Sequence, residues 1–296
     1  MNRTAAIAAA LLATAPLTPL QAAEDWRFGL DAEATNDSNV PRGLGSADTK
    51  SDNILSAEGS ATRSLLLGPN SGAVFRGSAR YSQYLDFGDL SNLALTGRAA
   101  WRYQRDRAFG APWFELAGEA QWLNHADSEL RDGTVLSFSA SVGRYLTDRV
   151  RVSGGLGLDK RSGDDTGLYD LSTNRFWGTF DYRVGVRNAF YARLTRTAGD
   201  HVFTAISGPS QTLLLASGYD VLVNNDTALA DGFGGVAPVA YRTEATTWHY
   251  DLGYNMPLPN GHGLDFSLTY YSSKTDTGGY KYDGTQLRAT YLYRFQ

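Results

Sequence analysis

The strongest constraint in this sequence is a two-residue period held over unusually long stretches. In "WRFGLDAEAT", Trp26, Phe28, Leu30, Ala32 and Ala34 share one face, and Arg27, Asp31 and Glu33 the other. "NLALTGRAAWRYQ" sets Leu93, Leu95, Gly97, Ala99, Trp101 and Tyr103 against Thr96, Arg98, Arg102 and Gln104. "GLDFSLTYY" repeats the pattern with Leu264, Phe266, Leu268 and Tyr270. Strand side chains point alternately to opposite faces, so these stretches read as strands with one apolar and one polar face. Twelve are expected, over 25–35, 53–65, 73–84, 92–104, 112–124, 134–146, 149–160, 174–185, 188–199, 242–255, 263–274 and 284–295. Strands in water-soluble domains are usually ~5–6 residues, whereas a tilted strand crossing a bilayer needs ~9–11.

The connections alternate in length. "LGPNSG", "RDRAFGA", "LTDR", "GVRN" and "MPLPNGHG" are short; "NDSNVPRGLGSADTKS", "NHADSELRDG", "RSGDDTGLYDLST" and the stretch Asp200 to Tyr241 are longer and more polar. Only the connection around Asp86–Ser91 is short for its set. The pattern predicts an all-β fold, an antiparallel up-and-down transmembrane barrel of 12 strands, with 10 or 14 as alternatives because the longest loop has room for another hairpin. An even count brings both termini to one end.

Residues 1–23 read as a secretory signal peptide: Arg3, an apolar run from Ala5 to Ala15, and small residues at Ala22 and Ala23. That run falls short of the ~20 residues of a spanning helix. Residues 24–296 form the barrel domain. The chain has no cysteine, so no disulfide framework is expected. A net charge of −4 gives no reason to expect a nucleic-acid partner. No phosphate loop, zinc spacing or EF-hand loop occurs, and neither a cofactor nor a resident metal is expected.

Aromatics gather near segment ends, at Trp26, Phe28, Trp101, Tyr103, Trp113, Phe114, Trp122, Tyr250, Tyr254, Tyr270, Tyr293 and Phe295, where interfacial girdles belong. The chain closes on "QLRATYLYRFQ", an alternating strand with Tyr291, Tyr293 and Phe295 on one face. In these features it resembles the Gram-negative outer-membrane β-barrel proteins as a class. The resemblance implies an outer-membrane location after export, contact with membrane lipid and lipopolysaccharide, and assembly by the barrel-assembly machinery, with Tyr291, Tyr293 and Phe295 as its signal. Gln296 departs from the pattern by following the phenylalanine.

If the apolar face meets lipid, the charged face lines the interior. With turns centred on Pro69 and Asp89, Glu58 faces Arg80, Arg80 faces Arg98, and Arg76 faces Arg102; on the next hairpin Arg98 faces Glu119 and Arg102 faces Glu115. Two rungs are therefore expected, Glu58–Arg80–Arg98–Glu119 and Thr62–Arg76–Arg102–Glu115. Further pairs are Asp159 with Arg175, Arg151 with Arg183, Asp181 with Arg193, and Asp265 with Arg294. The predicted pore lining is Arg76, Arg80, Arg98, Arg102, Arg175, Arg183 and Arg193 with Glu58, Glu115 and Glu119, and the expected role is a narrow, porin-like channel for a small anionic solute. Twelve strands lie between a filled eight-stranded barrel and an open channel of 16–18.

Two other roles stay open: a membrane enzyme acting on lipid or lipid A, and a non-conducting scaffold or receptor. No catalytic residue is assigned. His249 and Asp251 share one strand face, Asn36–Asp37 reads as a polar turn after the first strand, and Asp164, Asp165 and Asp226 are acidic loop residues. The long loop carries apolar runs at Leu213–Ala216 and Val221–Val223, which favour a lid or an extended hairpin over an unstructured connection.

Overall fold

The computed structural model describes residues 26–43, 48–106, 108–163, 166–185, 187–205, 223–276 and 279–295. The signal-peptide stretch, Gln296, Asp164, Asp165 and the apolar run Leu213–Ala216 lie outside them. The strands are β1 (Arg27–Asp37), β2 (Asp52–Gly68), β3 (Ser71–Tyr84), β4 (Asn92–Gln104), β5 (Trp113–His125), β6 (Gly133–Tyr145), β7 (Val150–Ser162), β8 (Leu171–Val184), β9 (Asn188–Ala205), β10 (Val223–Asn225), β11 (Val239–Pro257), β12 (His262–Thr275) and β13 (Lys281–Arg294). Each strand from β1 to β8 pairs antiparallel with the next, β9 pairs with β11, β11 with β12, β12 with β13, and β13 returns to β1. This is a closed twelve-stranded antiparallel barrel, and closure leaves no edge strand unpaired. The three-residue β10 takes up the side of β11 that β12 leaves after Thr275.

The alternation fixes which face points out. Phe28, Leu30, Leu55, Phe75, Leu95, Leu116, Phe138, Leu158, Phe176, Leu194, Leu252, Leu268 and Leu287 are all exposed on the outer wall. A continuous belt of this kind is solvated by hydrocarbon, not water, and the closed ladder leaves no backbone group in need of water. Trp113 is the exception among the predicted girdle residues: it faces inward and is buried. Tyr291 and Phe295 sit on the outer wall, and Arg288 and Arg294 face the interior.

Register departs from the expected values in steps of two or four. Glu58 does face Arg80, Arg98 faces Glu119, and Arg102 faces Glu115. Between β3 and β4, however, Arg76 faces Arg98, Arg80 faces Ala94, and Arg102 faces Gly72, so neither predicted four-residue rung forms. The turn is centred near Phe87 rather than Asp89. Phe87 and Leu90 are buried, and the Asp52 carboxylate accepts the backbone N–H groups of Leu85, Asp86 and Phe87, which draws the end of β3 out of the ladder. Arg151 faces Asp181 rather than Arg183, Asp159 faces Thr173 rather than Arg175, and Arg193 faces Thr179 rather than Asp181. Asp265 faces Thr290, not Arg294; its carboxylate accepts the Tyr191 hydroxyl at 2.9 Å, while Arg294 reaches Asp31 on β1. Every slip is even, so each of these paired residues stays on its predicted face: an odd slip would turn apolar residues inward and charges outward.

Candidate functional site: the barrel interior

The interior wall is organised by carboxylates that each hold two guanidiniums. Glu33 lies 2.6 Å from Arg80 and 3.7 Å from Arg288. Glu58 lies 2.7 Å from Arg76 and 3.9 Å from Arg80. Glu115 takes Arg98 at 2.9 Å and Arg102 at 2.6 Å. The result is a zigzag from β13 through β1, β2 and β3, continued from β4 to β5. It explains how Arg76 and Arg98 tolerate standing directly opposite each other: like charges across a ladder repel, and each has its own carboxylate. Farther round, Arg175 meets Asp159 at 3.2 Å and Arg151 meets Asp181 at 3.0 Å. Arg183 sits exposed at the short-turn end of β8, and Arg193 donates to Thr179 at 3.4 Å. Glu119 stands on the inner face opposite Arg98 and Ser137.

Four inward aromatic rings share one device that the sequence reading missed. Trp113 is the cross-strand partner of Gly143, Trp177 of Gly155, Tyr191 of Gly253 and Tyr271 of Gly284. A Cβ on those glycines would lie 2.3, 2.5, 2.0 and 2.2 Å from the respective side chains, so each ring occupies the space that a side chain would fill. Guanidiniums cover three of the rings: Arg102 lies 4.6 Å from the Trp113 centroid, Arg175 5.4 Å from Trp177, and Arg42 4.4 Å from Tyr271. The available signal was glycine at inward positions of long strands, where a missing side chain invites close approach.

The long-loop end carries a roof. Val40, Ile54, Tyr84, Phe87, Leu90, Ala228 and Leu229 form one buried apolar cluster, with Phe233 packed on it. Its members come from the β1–β2 and β3–β4 connections, the ends of β2 and β3, and residues 227–233 of the longest loop. β9 runs on to Ala205 and β11 starts at Val239, so the described ends of the longest connection extend the hairpin, and Ala205, Val239 and Tyr241 form a second buried cluster. Asp226, one of the acidic loop residues, is fully buried; it accepts from Arg131 and, at 2.9 Å, from the Tyr169 hydroxyl. Burial alone would lower the Arg131 pKa, but the Asp226 carboxylate outweighs it and the net shift is upward. A second pin is Arg42, which enters the lumen from the β1–β2 loop and pairs with Asp37 at 3.0 Å. There too the adjacent carboxylate overcomes burial and raises the pKa. Asn36, next to Asp37, points to the outer wall and bonds Asn53, so the Asn36–Asp37 pair does not converge on one site. His249 and Asp251 both face inward, but Asp251 accepts from Thr269 at 2.6 Å.

Beneath the roof lies a cavity of about 320 Å³. It is lined by seven arginines (42, 80, 131, 161, 175, 193 and 288) against four carboxylates, Glu33, Asp159, Asp200 and Asp251, together with three histidines. Apolar residues including Val40, Ile54, Leu90, Leu123, Val135 and Leu171 complete it. Arg80, Arg175 and Arg193 of the predicted lining reach this cavity; Arg76, Arg98, Arg102, Arg183, Glu58, Glu115 and Glu119 do not line it.

No protein-family model matches the chain, and no curated protein sequence is similar to it. Among solved structures, it is similar to the COG4313 outer membrane channel from Pseudomonas putida F1, at 13% identity and a TM-score of 0.57, over 95% of this chain and 99% of that one. Weaker likenesses are to the translocator domain of the autotransporter NalP from Neisseria meningitidis (11% identity, TM-score 0.45, 98% and 95% coverage) and to the KdgM porin (10%, 0.40, 90% and 99%). At these identities the shared property is the fold, that of an outer-membrane β-barrel.

Proposed function

We propose that this protein is an outer-membrane channel for small anionic solutes, with its short turns in the periplasm and its roofed end outside. The observation that carries the reading is the guanidinium excess around the roofed cavity: seven arginines and four carboxylates line it, and although Asp37 and Asp226 behind the lining pair Arg42 and Arg131, cations still outnumber carboxylates. In a lumen with low-dielectric walls such an excess attracts anions and repels cations. The carboxylate-bridged arginines of β1 to β5 serve a second purpose: they hold fixed charge along the wall without collapsing it, since each carboxylate neutralises only part of its pair. Export, the assembly role of Tyr291, Tyr293 and Phe295, and contact with lipopolysaccharide belong to the same reading. The test is a planar-bilayer recording with ion substitution. Discrete conductance steps whose reversal potential moves towards that of the anion are expected; inserted barrels that stay electrically silent would remove the channel.

A further inference from the structure

We infer that the roofed cavity is a binding site for a small organic carboxylate carrying an apolar body, and that Arg161 takes its carboxylate. This rests on the channel reading, because it names the class of solute that would pause there. Arg161 stands on β7 between two apolar ladder neighbours, Val135 on β6 and Leu171 on β8, and all three line the cavity. Carboxylates meet five of the six other lining guanidiniums: Asp37 holds Arg42, Glu33 holds Arg80 and Arg288, Asp159 holds Arg175, and Asp226 holds Arg131, while Arg193 donates to Thr179. Arg161 is in no ion pair among the described residues. One of its terminal nitrogens donates to the Arg131 backbone carbonyl, its face lies 4.8 Å from the Tyr169 ring centroid, and its buried Nε has no partner.

Three more buried nitrogens without a hydrogen-bond partner, Arg175 Nε, Arg288 Nε and His249 Nε2, belong to residues that line the same cavity. Buried donors are nearly always satisfied, so their convergence on one space points to a ligand that accepts hydrogen bonds. A guanidinium outside any ion pair calls for an anion, and its forked donors suit a carboxylate. The half-buried Leu171 beside Arg161 and Leu123 across the lining offer nothing to a hydrated phosphate but give an alkyl chain a place to leave water. The volume, about 320 Å³, is at the small end of ligand sites.

The experiment is calorimetric titration of the full barrel in nanodiscs with sodium acetate, butyrate, hexanoate and inorganic phosphate, with empty nanodiscs as the blank for partitioning. Each added methylene should tighten binding about fourfold until the cavity fills. Hexanoate should therefore exceed acetate at least tenfold, and phosphate should bind more weakly than butyrate. Arg161→Gln should weaken hexanoate at least tenfold, and Leu171→Asn, close in volume but polar, should flatten the chain-length series. Should Arg161→Gln not fold, Arg161→Lys serves, with a loss of several-fold expected because the fork is gone. Equal affinity along the series, phosphate as the tightest ligand, or a folded Arg161 variant that binds like the parent would each overturn the proposal. Chain-length-dependent binding with silent bilayers would remove the channel and leave the site. Anion-selective current without chain-length dependence would do the reverse.

Discussion

At the scale of single residues, the interior is built from substitutions that look interchangeable and are not. Gly253 and Gly97 are both strand glycines, yet only Gly253 lies under a ring; a Cβ there would lie 2.0 Å from Tyr191, while one on Gly97 meets nothing within 4 Å. Gly253→Ala should displace Tyr191 from its 2.9 Å bond to Asp265 and destabilise the barrel by about 1–3 kcal/mol, as overpacking does. Gly97→Ala should change stability by no more than about 0.5 kcal/mol. Urea unfolding in detergent, followed by tryptophan fluorescence, compares the two; equal midpoints would refute the ring-over-glycine account. The arginines divide in the same way. Arg80→Ala removes the closest cation from Glu33, whose side chain is 6% exposed, and should cost about 3–5 kcal/mol because the carboxylate keeps the Thr35 and Thr290 hydroxyls but, as a cation, only the more distant Arg288.

At the scale of elements, the roof is held by one apolar cluster and two buried ion pairs, and these set how it opens. Leu229 is fully buried in the cluster, and Leu229→Ser should loosen residues 226–235 without touching the barrel wall, since no membrane-spanning ladder depends on them. Larger mean conductance with an unchanged unfolding midpoint is expected; unaltered current would mean that the roof does not gate the lumen. Asp226→Asn should act in the same direction more strongly, because it leaves Arg131 buried beside a neutral amide. The strands themselves were legible in the sequence to within a few residues, since a half-buried strand must alternate and membrane strands are long. The roof was not. Residues such as Phe87, Leu90 and Leu229 occur singly in polar connections, and only tertiary packing tells a buried loop apolar residue from an exposed one. Trp113 was misassigned for a related reason: an aromatic at a strand end suits the lipid interface and a glycine-floored interior equally well.

At the scale of the whole molecule, two facts about closure limit what pattern alone can fix. Parity is enforced by hydrocarbon outside and charge inside, so the strand faces held, and Trp113 alone among the girdle residues lies on the other side. Height along the barrel is set by turns, and each even slip satisfied the same pattern; Arg76 therefore met Arg98 instead of Arg102, and Arg294 found its carboxylate across the closing seam on Asp31. Selectivity follows from height, because only guanidiniums level with the roofed cavity act on a solute paused there. Arg175→Gln combined with Arg193→Gln lowers the cavity's arginine count from seven to five against four carboxylates, so the anion preference should fall towards unity. Arg98→Gln, in the same barrel but outside the cavity lining, should leave most of it in place. Reversal potentials measured under a salt gradient decide this. The contrast should be largest at low ionic strength and shrink near 1 M salt, where the screening length falls to about 3 Å. Equal effects of the two changes would mean that the field of the whole lumen, not the charge around one cavity, selects the ion.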